Sequence, residues 1–167
     1  SAQEVYLLSV AHMPLGCTLY LLGELTSART HLEQTIALYD PQKHPRPTLN
    51  TADPKMDCLS YMARTLWYLG YPEQALKRSH EALDLAGGLS HPFSLAYALD
   101  LTALLHVHRR EGQATLKRAE EGLLLSTEQG FAFFLAQNTI FRGWALAELG
   151  QEEEGIAQIR QGLTASQ

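Results

Sequence analysis

His106 and His108, in the stretch LLHVHRRE, are the two neighbouring side chains whose types most invite a metal ion. The apolar pattern around them predicts a helix, and residues two apart on a helix point in divergent directions, unlike residues three or four apart. The pair is therefore not expected to share an ion. His106 falls on an apolar column and reads as a packed, hydrogen-bonded histidine. His12, His31, His80 and His91 have no partner at metal-ligand spacing, and His80 with Asp84 four residues on reads as a surface pair. Other chemistries leave recognisable loops: GxxxxGK[ST] for phosphates, GxGxxG for dinucleotides, HExxH for zinc hydrolysis, GxSxG for acyl transfer. None is present. Glu152, Glu153 and Glu154 open an amphipathic run, where the helix dipole favours negative charge without any further role. Cys17 and Cys58 lie in apolar runs and read as reduced, buried thiols. The expectation is no catalytic residue, no cofactor and no metal, so the chemistry left to the chain is recognition.

The elements that would position such a surface are legible from an internal repeat. YLGYPEQALKRSHEALDLA at 68–86 returns as HRREGQATLKRAEEGLLLS, placing Leu76, Lys77, Arg78, Glu81, Leu83 and Leu85 on Leu116, Lys117, Arg118, Glu121, Leu123 and Leu125. YLG at 68–70 has counterparts in LLG at 21–23 and ELG at 148–150, and each glycine ends one amphipathic run and precedes another. The spacing predicts first helices over about 3–22, 54–69, 91–109 and 131–149, and second helices over about 24–39, 72–86, 112–128 and 152–164. The recurring Lys77 and Glu81, and Lys117 and Glu121, are expected to form i, i+4 salt pairs.

Columns of small residues run through the repeats. Gly16, Ala63, Ala103 and Gly143 share one; Ala28, Ala75, Thr115 and Gly155 share another; Thr35, Ala82, Gly122 and Gly162 a third. Small side chains recur where backbones approach, and Leu19, Leu66 and Leu146 fill a large apolar column in which His106 is the exception. One helix pair cannot bury its apolar face alone, so the expected fold is all-α: a right-handed superhelical stack of about four antiparallel helix pairs with a period of about 40 residues. The pairs fall at about 3–39, 54–86, 91–128 and 131–164, in a single repeat domain of residues 1–167.

This spacing of small and large residues resembles the tetratricopeptide repeat (TPR). The small positions match, at Ala63, Ala75 and Ala82 in the second pair, while the aromatic positions of the signature hold other residues and the period exceeds the usual 34. The extra length implies longer first helices or longer connections. The stretches ARTHLEQTIALYDPQKH, LSHPFSLAYAL and GWALAELGQEEEGIAQIRQGL also resemble the repeat region that follows nucleotide-cyclase and STAND-type P-loop ATPase modules in large bacterial signalling proteins. That resemblance implies a regulatory or sensor arm without chemistry of its own; the reduced cysteines point to a cytoplasmic setting, and the chain reads as part of a longer one. Its partners would be a protein, a peptide or neighbouring domains of the same chain. The alternative is a small-molecule sensor that takes a metabolite in its concave groove.

In a TPR-like stack the first helices line the groove. Transferring that face selects Asp57, Ser60, Arg64, Trp67 and Tyr68 from the second pair, Tyr97, Asp100, Leu104 and His108 from the third, and Gln137, Ile140, Trp144 and Glu148 from the fourth. Met13, Cys17, Tyr20 and Leu21 occupy the first. Aromatic, Arg and carboxylate groups suit recognition, although Trp67, Tyr68 and Trp144 read equally well as interhelix packing. The formal net charge of −5 argues against a nucleic-acid partner and against a polybasic membrane surface. No apolar run reaches the length of a transmembrane helix. Prolines at 41, 45, 47 and 54 exclude helix from the insertion at 40–54, which would serve as an ordered strap or as a ligand for a proline-reading domain. The apolar face of the first helix, at Val5, Tyr6 and Leu8, predicts a homodimer through that exposed end or a missing upstream partner.

Overall fold

The computed structural model describes residues 2–40, 47–48 and 51–166; within the first helix, the side chains of residues 2–7, 9 and 10 lie outside the description. Eight α-helices and no strand occur among the described residues: α1 (Ala2–Leu21), α2 (Leu25–Leu38), α3 (Pro54–Tyr68), α4 (Pro72–Gly88), α5 (Pro92–His108), α6 (Gly112–Gln129), α7 (Ala132–Glu148) and α8 (Glu152–Ala165). Each lies within two residues of its expected span. The long period resides in the helices, because α3 to α8 run 14 to 18 residues while the connections between them are only two or three residues long.

Local sequence explains the helix starts. Asp53 caps α3, its Oδ1 accepting from the Lys55 and Met56 amides at 3.0 Å each, and Pro54 takes the first helical position, where no amide hydrogen is needed. Pro72 and Pro92 likewise open α4 and α5.

The chain divides into two compact units, residues 1–94 and 95–167. In the first, α1 pairs with α2, α3 pairs with α4, and α3 also packs on α1 and α2. Ala28, Leu32, Thr35, Met56, Cys58, Met62, Ala63, Leu66, Ala75 and Ala82 form its interior. Gly16 allows the close approach of α1 to α2, since a Cβ there would meet Leu32 Cγ at 2.9 Å. Met56 and Met62 fill space that the small columns leave open.

In the second unit α7 packs on both α6 and α8. Ala103, Ala119 and Phe141 bring α5, α6 and α7 together, with Leu104 and Val107 beside them. The approach of α7 to α8 is a backbone contact: a Cβ on Gly143 would lie 2.6 Å from the Gly155 carbonyl oxygen, and one on Gly155 would lie 2.5 Å from that of Gly143. The three columns of small residues are buried in both units.

Of the insertion at 40–54, residues 41–46 and 49–50 lie outside the described residues. Its described parts are tied to the first unit. The His91 Nε2–H donates to the Thr48 carbonyl at 3.0 Å, the Asp53 amide donates to Ser94 Oγ at 3.0 Å, and the Tyr39 hydroxyl donates to Asp53 Oδ2 at 2.9 Å. No helix among the described residues is long and apolar enough to cross a membrane.

Candidate functional site

The face of α3 that carries Asp57, Arg64 and Tyr68 also carries Tyr61, since positions 57, 61, 64 and 68 advance by four, three and four residues along one stripe of a helix. Packing of α3 on α1 sets Tyr20 against this stripe. Arg64 Nε donates to the Tyr20 hydroxyl at 3.0 Å, and the guanidinium carbon lies 4.6 Å from the Tyr20 ring centroid and 5.0 Å from that of Tyr61. Tyr20 meets Tyr61 edge-on at 5.4 Å and Tyr68 at 6.3 Å. A guanidinium that lies near two rings and donates to the hydroxyl of one of them is held in place. Its two Nη groups make no hydrogen bond among the described residues. A guanidinium is a bidentate donor to a carboxylate or phosphate.

Tyr68 is 52% exposed at the edge of this cluster. Its partial burial and the neighbouring Tyr20 push its hydroxyl above the ordinary range, so it stands as a neutral donor. Beneath, burial and the charge of Asp57 push the Cys17 thiol up to about 12, and burial pushes that of Cys58 higher still. Neither thiol forms a thiolate readily, so neither is a nucleophile at neutral pH.

Ser60 does not share this face. It is buried, and its hydroxyl donates to the Met56 carbonyl at 3.0 Å. Tyr61, one position later, takes the place assigned to Ser60 by column transfer, and the four-three-four stripe through Asp57, Arg64 and Tyr68 was the signal for it. Asp57 and Trp67 are half-buried.

In the second unit Asp100 is buried, and Tyr97 is half-buried with its ring 5.9 Å from that of Phe134. Leu104, His108, Gln137, Ile140 and Trp144 are half-buried, and Glu148 is exposed. In the first pair, Met13, Cys17 and Tyr20 are half-buried and Leu21 is exposed.

The remaining histidines sort by what they touch. His106 is 6% exposed and its Nδ1 lies 2.6 Å from Glu111 Oε2, as a packed and hydrogen-bonded residue should. His91 sits near Ser94 and Asp53, a set that invites comparison with a catalytic triad. The Ser94 amide donates to His91 Nδ1 at 3.3 Å while Nε2 donates to a backbone carbonyl, and Ser94 Oγ, 2.9 Å from Nδ1, is fully buried. The Asp53 carboxylate faces the start of α3 and Tyr39. This set caps helices and does not present a nucleophile. His12 and His31, without partners in the sequence reading, meet across α1 and α2. The expected Lys77 and Lys117 salt pairs are replaced by Arg78 with Glu81 at 2.7 Å and Arg118 with Glu121 at 2.8 Å, because the half-buried arginines reach three residues along the helix. Among the described residues no group of three or more His, Cys, Asp or Glu side chains could hold a metal ion.

No protein-family profile and no curated protein sequence matches the chain. Solved structures do. Aspartyl phosphate phosphatase F from Bacillus subtilis superposes with a TM-score of 0.78 at 14% identity, over 95% of this chain and 40% of that one. A variant of TPR-like repeats, described as nearly identical repeats of a kinesin light chain from Podosopora anserina, superposes with a TM-score of 0.70 at 14% identity, over 94% of this chain and 74% of that one. The chain thus spans less than half the length of the first of these structures, and the fold it shares with both is that of a TPR-like helical repeat.

Proposed function

We propose that this protein is a non-catalytic interaction module that binds a protein or peptide through the first helices of its pairs. The observation that carries the reading is the Arg64 cluster: a guanidinium held by Tyr20 and Tyr61, with a half-exposed Tyr68 beside it. Buried or stacked Arg and Tyr are the side chains on which binding energy concentrates at protein interfaces. Trp67 extends this surface in the first unit, and Tyr97, His108, Gln137, Trp144 and Glu148 are the corresponding groups of the second. Ser60 and Asp100, being buried, would act by shaping the surface. The resemblance of whole stretches to the repeats behind cyclase and STAND ATPase modules supports a regulatory arm of a larger bacterial signalling protein, whose partner would be a neighbouring domain or a separate protein. A homodimer through α1 is supported by Leu8, which is exposed, whereas the Val5 and Tyr6 side chains lie outside the described residues.

The test is quantitative binding to partners captured from the source organism. Arg64→Ala and Tyr68→Ala should each weaken the partner by about 30-fold or more if they are anchor residues, and Arg64→Lys should recover little, since an ammonium cannot stack and fork as a guanidinium does. Unchanged affinity in all three would remove this surface from the function.

A second reading, a small-molecule sensor, draws on a separate cleft. Ile36, Leu59 and Leu85 floor a cavity of about 360 Å³ rimmed by Lys55, Arg78, Glu81 and Asp84. It lies on the opposite face of α3 from Arg64, because 55 and 59 are half a turn away from 57, 61, 64 and 68. An apolar floor with charges of both signs suits a zwitterionic metabolite. Rise of Tm with such a ligand, abolished by Asp84→Asn, would favour this reading.

A further inference from the structure

We propose that the outer face of α8 is a homodimer interface, in which two copies of the chain pack α8 against α8 in antiparallel fashion about a two-fold axis beside Ile156. Ile156 and Leu163 are 47% and 52% exposed, and Ile159 between them is half-buried. Positions 156, 159 and 163 advance by three and four residues, so the three side chains form one apolar stripe. The side of α8 that carries Gly155 and Gly162 packs on α7, and the stripe lies about a quarter turn away from it.

The internal repeat places this stripe among buried positions. Ile159 stands in the column of Leu32, Ser79 and Ala119, each no more than 4% exposed. In α6, Ala119 clusters with Phe141 of α7, the helix that follows. Ile156 and Leu163 stand 40 residues after Leu116 and Leu123, which are half-buried. A solenoid face left to water is ordinarily polar, yet α8 carries Ile in the column where α6 carries Ala.

Charge on the same face selects the occupant. Glu152, Ile156 and Arg160 are spaced by four and form one ridge of α8, with the acid and the base exposed at its two ends. Such a ridge is complementary to its own copy run in reverse. Two copies crossing at about −50°, the commonest class of helix packing, lay these ridges parallel. The two-fold rotation then sets Glu152 against Arg160 of the partner subunit, and Arg160 against Glu152 of the partner subunit, with the two Ile156 side chains between them. Leu149, 42% exposed in the turn before α8, comes opposite Leu163 of the partner subunit. The apolar stripe alone would take any amphipathic helix; the order of the charges singles out a second copy. One helix face makes an interface below about 1,200 Å², so the dimer should be weak, with a Kd of about 1 μM or higher.

Sedimentation equilibrium of the intact chain, from about 1 μM to about 1 mM, should show a reversible monomer–dimer equilibrium. Ile156→Asp and Leu163→Asp should each weaken it at least about tenfold at unchanged helical content, since both side chains are exposed in the single chain. Glu152→Arg and Arg160→Glu should each weaken self-association about five- to tenfold at low salt, because each variant sets like charges opposite one another. Mixed in equal amounts, these two variants should recover the wild-type affinity as a heterodimer in which both ion pairs are restored. A chain that stays monomeric throughout that range, a dimer indifferent to Ile156→Asp, or a mixture no tighter than its components would overturn the proposal. Loss of the dimer in Leu8→Ser with its retention in Ile156→Asp would overturn it in favour of α1.

Discussion

The turn from α5 to α6 and the turn from α7 to α8 follow the same hydrogen-bonding plan and are held by different means. In the second, the amides of Leu149, Gly150 and Gln151 donate to the carbonyls of Ala145, Ala147 and Leu146 at 2.8–3.0 Å, with Gly150 at φ 90°. In the first, the amides of Arg109, Arg110 and Glu111 donate to those of Leu105, Val107 and His106, each at 3.0 Å, with Arg110 at φ 56°. A side chain in the left-handed region is disfavoured, and glycine is the usual solution at a helix end. The α5–α6 turn does without it. Glu111 accepts from His106 and from Arg109 Nε, at 2.6 and 2.8 Å, and this knot fixes the chain on both sides of Arg110. Backbone freedom closes one turn and side-chain electrostatics closes the other. The first means is indifferent to pH and the second is not.

The contact between α7 and α8 tests the steric half of this comparison and should show the largest effect. Gly143→Ala places a methyl group 2.6 Å from the Gly155 carbonyl oxygen, where only backbone can yield. The gain in helix propensity, about 1 kcal/mol, is smaller than the overpacking cost, about 2–3 kcal/mol. A net loss in the urea midpoint is expected. Ala63→Gly, at the same column of the second pair, should lose the propensity and the burial of one methyl group.

Glu111→Ala tests the electrostatic half. It leaves the buried His106 without its carboxylate, and because about a third of the Glu111 side chain is in water, screening trims the expected loss to about 1–2 kcal/mol by chemical denaturation. The same group carries a pH signature. Partial burial pushes the Glu111 carboxyl up, but the hydrogen bonds from His106 and Arg109 and the charge of Arg109 outweigh it and hold the carboxyl below its ordinary range. Its contribution is therefore present above the unfolded carboxylate value and is lost as pH falls through the lower folded one. Denaturation midpoints at neutral pH and near about pH 3 should converge between wild type and Glu111→Gln as the solution is acidified. A difference that stays constant with pH would show that the knot acts by packing alone.

The smallest effects come from exchanging the turn residues themselves. Arg110→Gly should leave stability within about 1 kcal/mol of wild type, relief of left-handed strain being offset by added chain entropy. Gly150→Ala should cost about 1 kcal/mol, with no side-chain knot to compensate. Equal responses at the two positions would erase the distinction between the turns.

Helix positions were legible because periodicity is a local property, and the columns at Gly16, Ala28 and Thr35 and their counterparts were legible because contact between paired helices repeats with the sequence. The glycine turns were legible for the same reason. The α5–α6 turn was less so: His106 read as packed and hydrogen-bonded, but a carboxylate five residues away as its partner follows from the turn's path and not from helical spacing. Ser60 misled because transferring a column from a general pattern carries an error of one residue, and one residue turns a helix face by about 100°.

The sequence by itself determined that this protein is all-helical, that its helices come in pairs, and where each pair has room for close approach, because these depend on spacing along one chain. Tertiary structure alone decided that Tyr20 meets Arg64, that His12 faces His31, and that Asp53 is bound to Ser94. The contacts of His12 with His31, Asp53 with Ser94 and Tyr20 with Arg64 join residues 19 to 44 positions apart, and helix rotation and packing, which no local period specifies, set them.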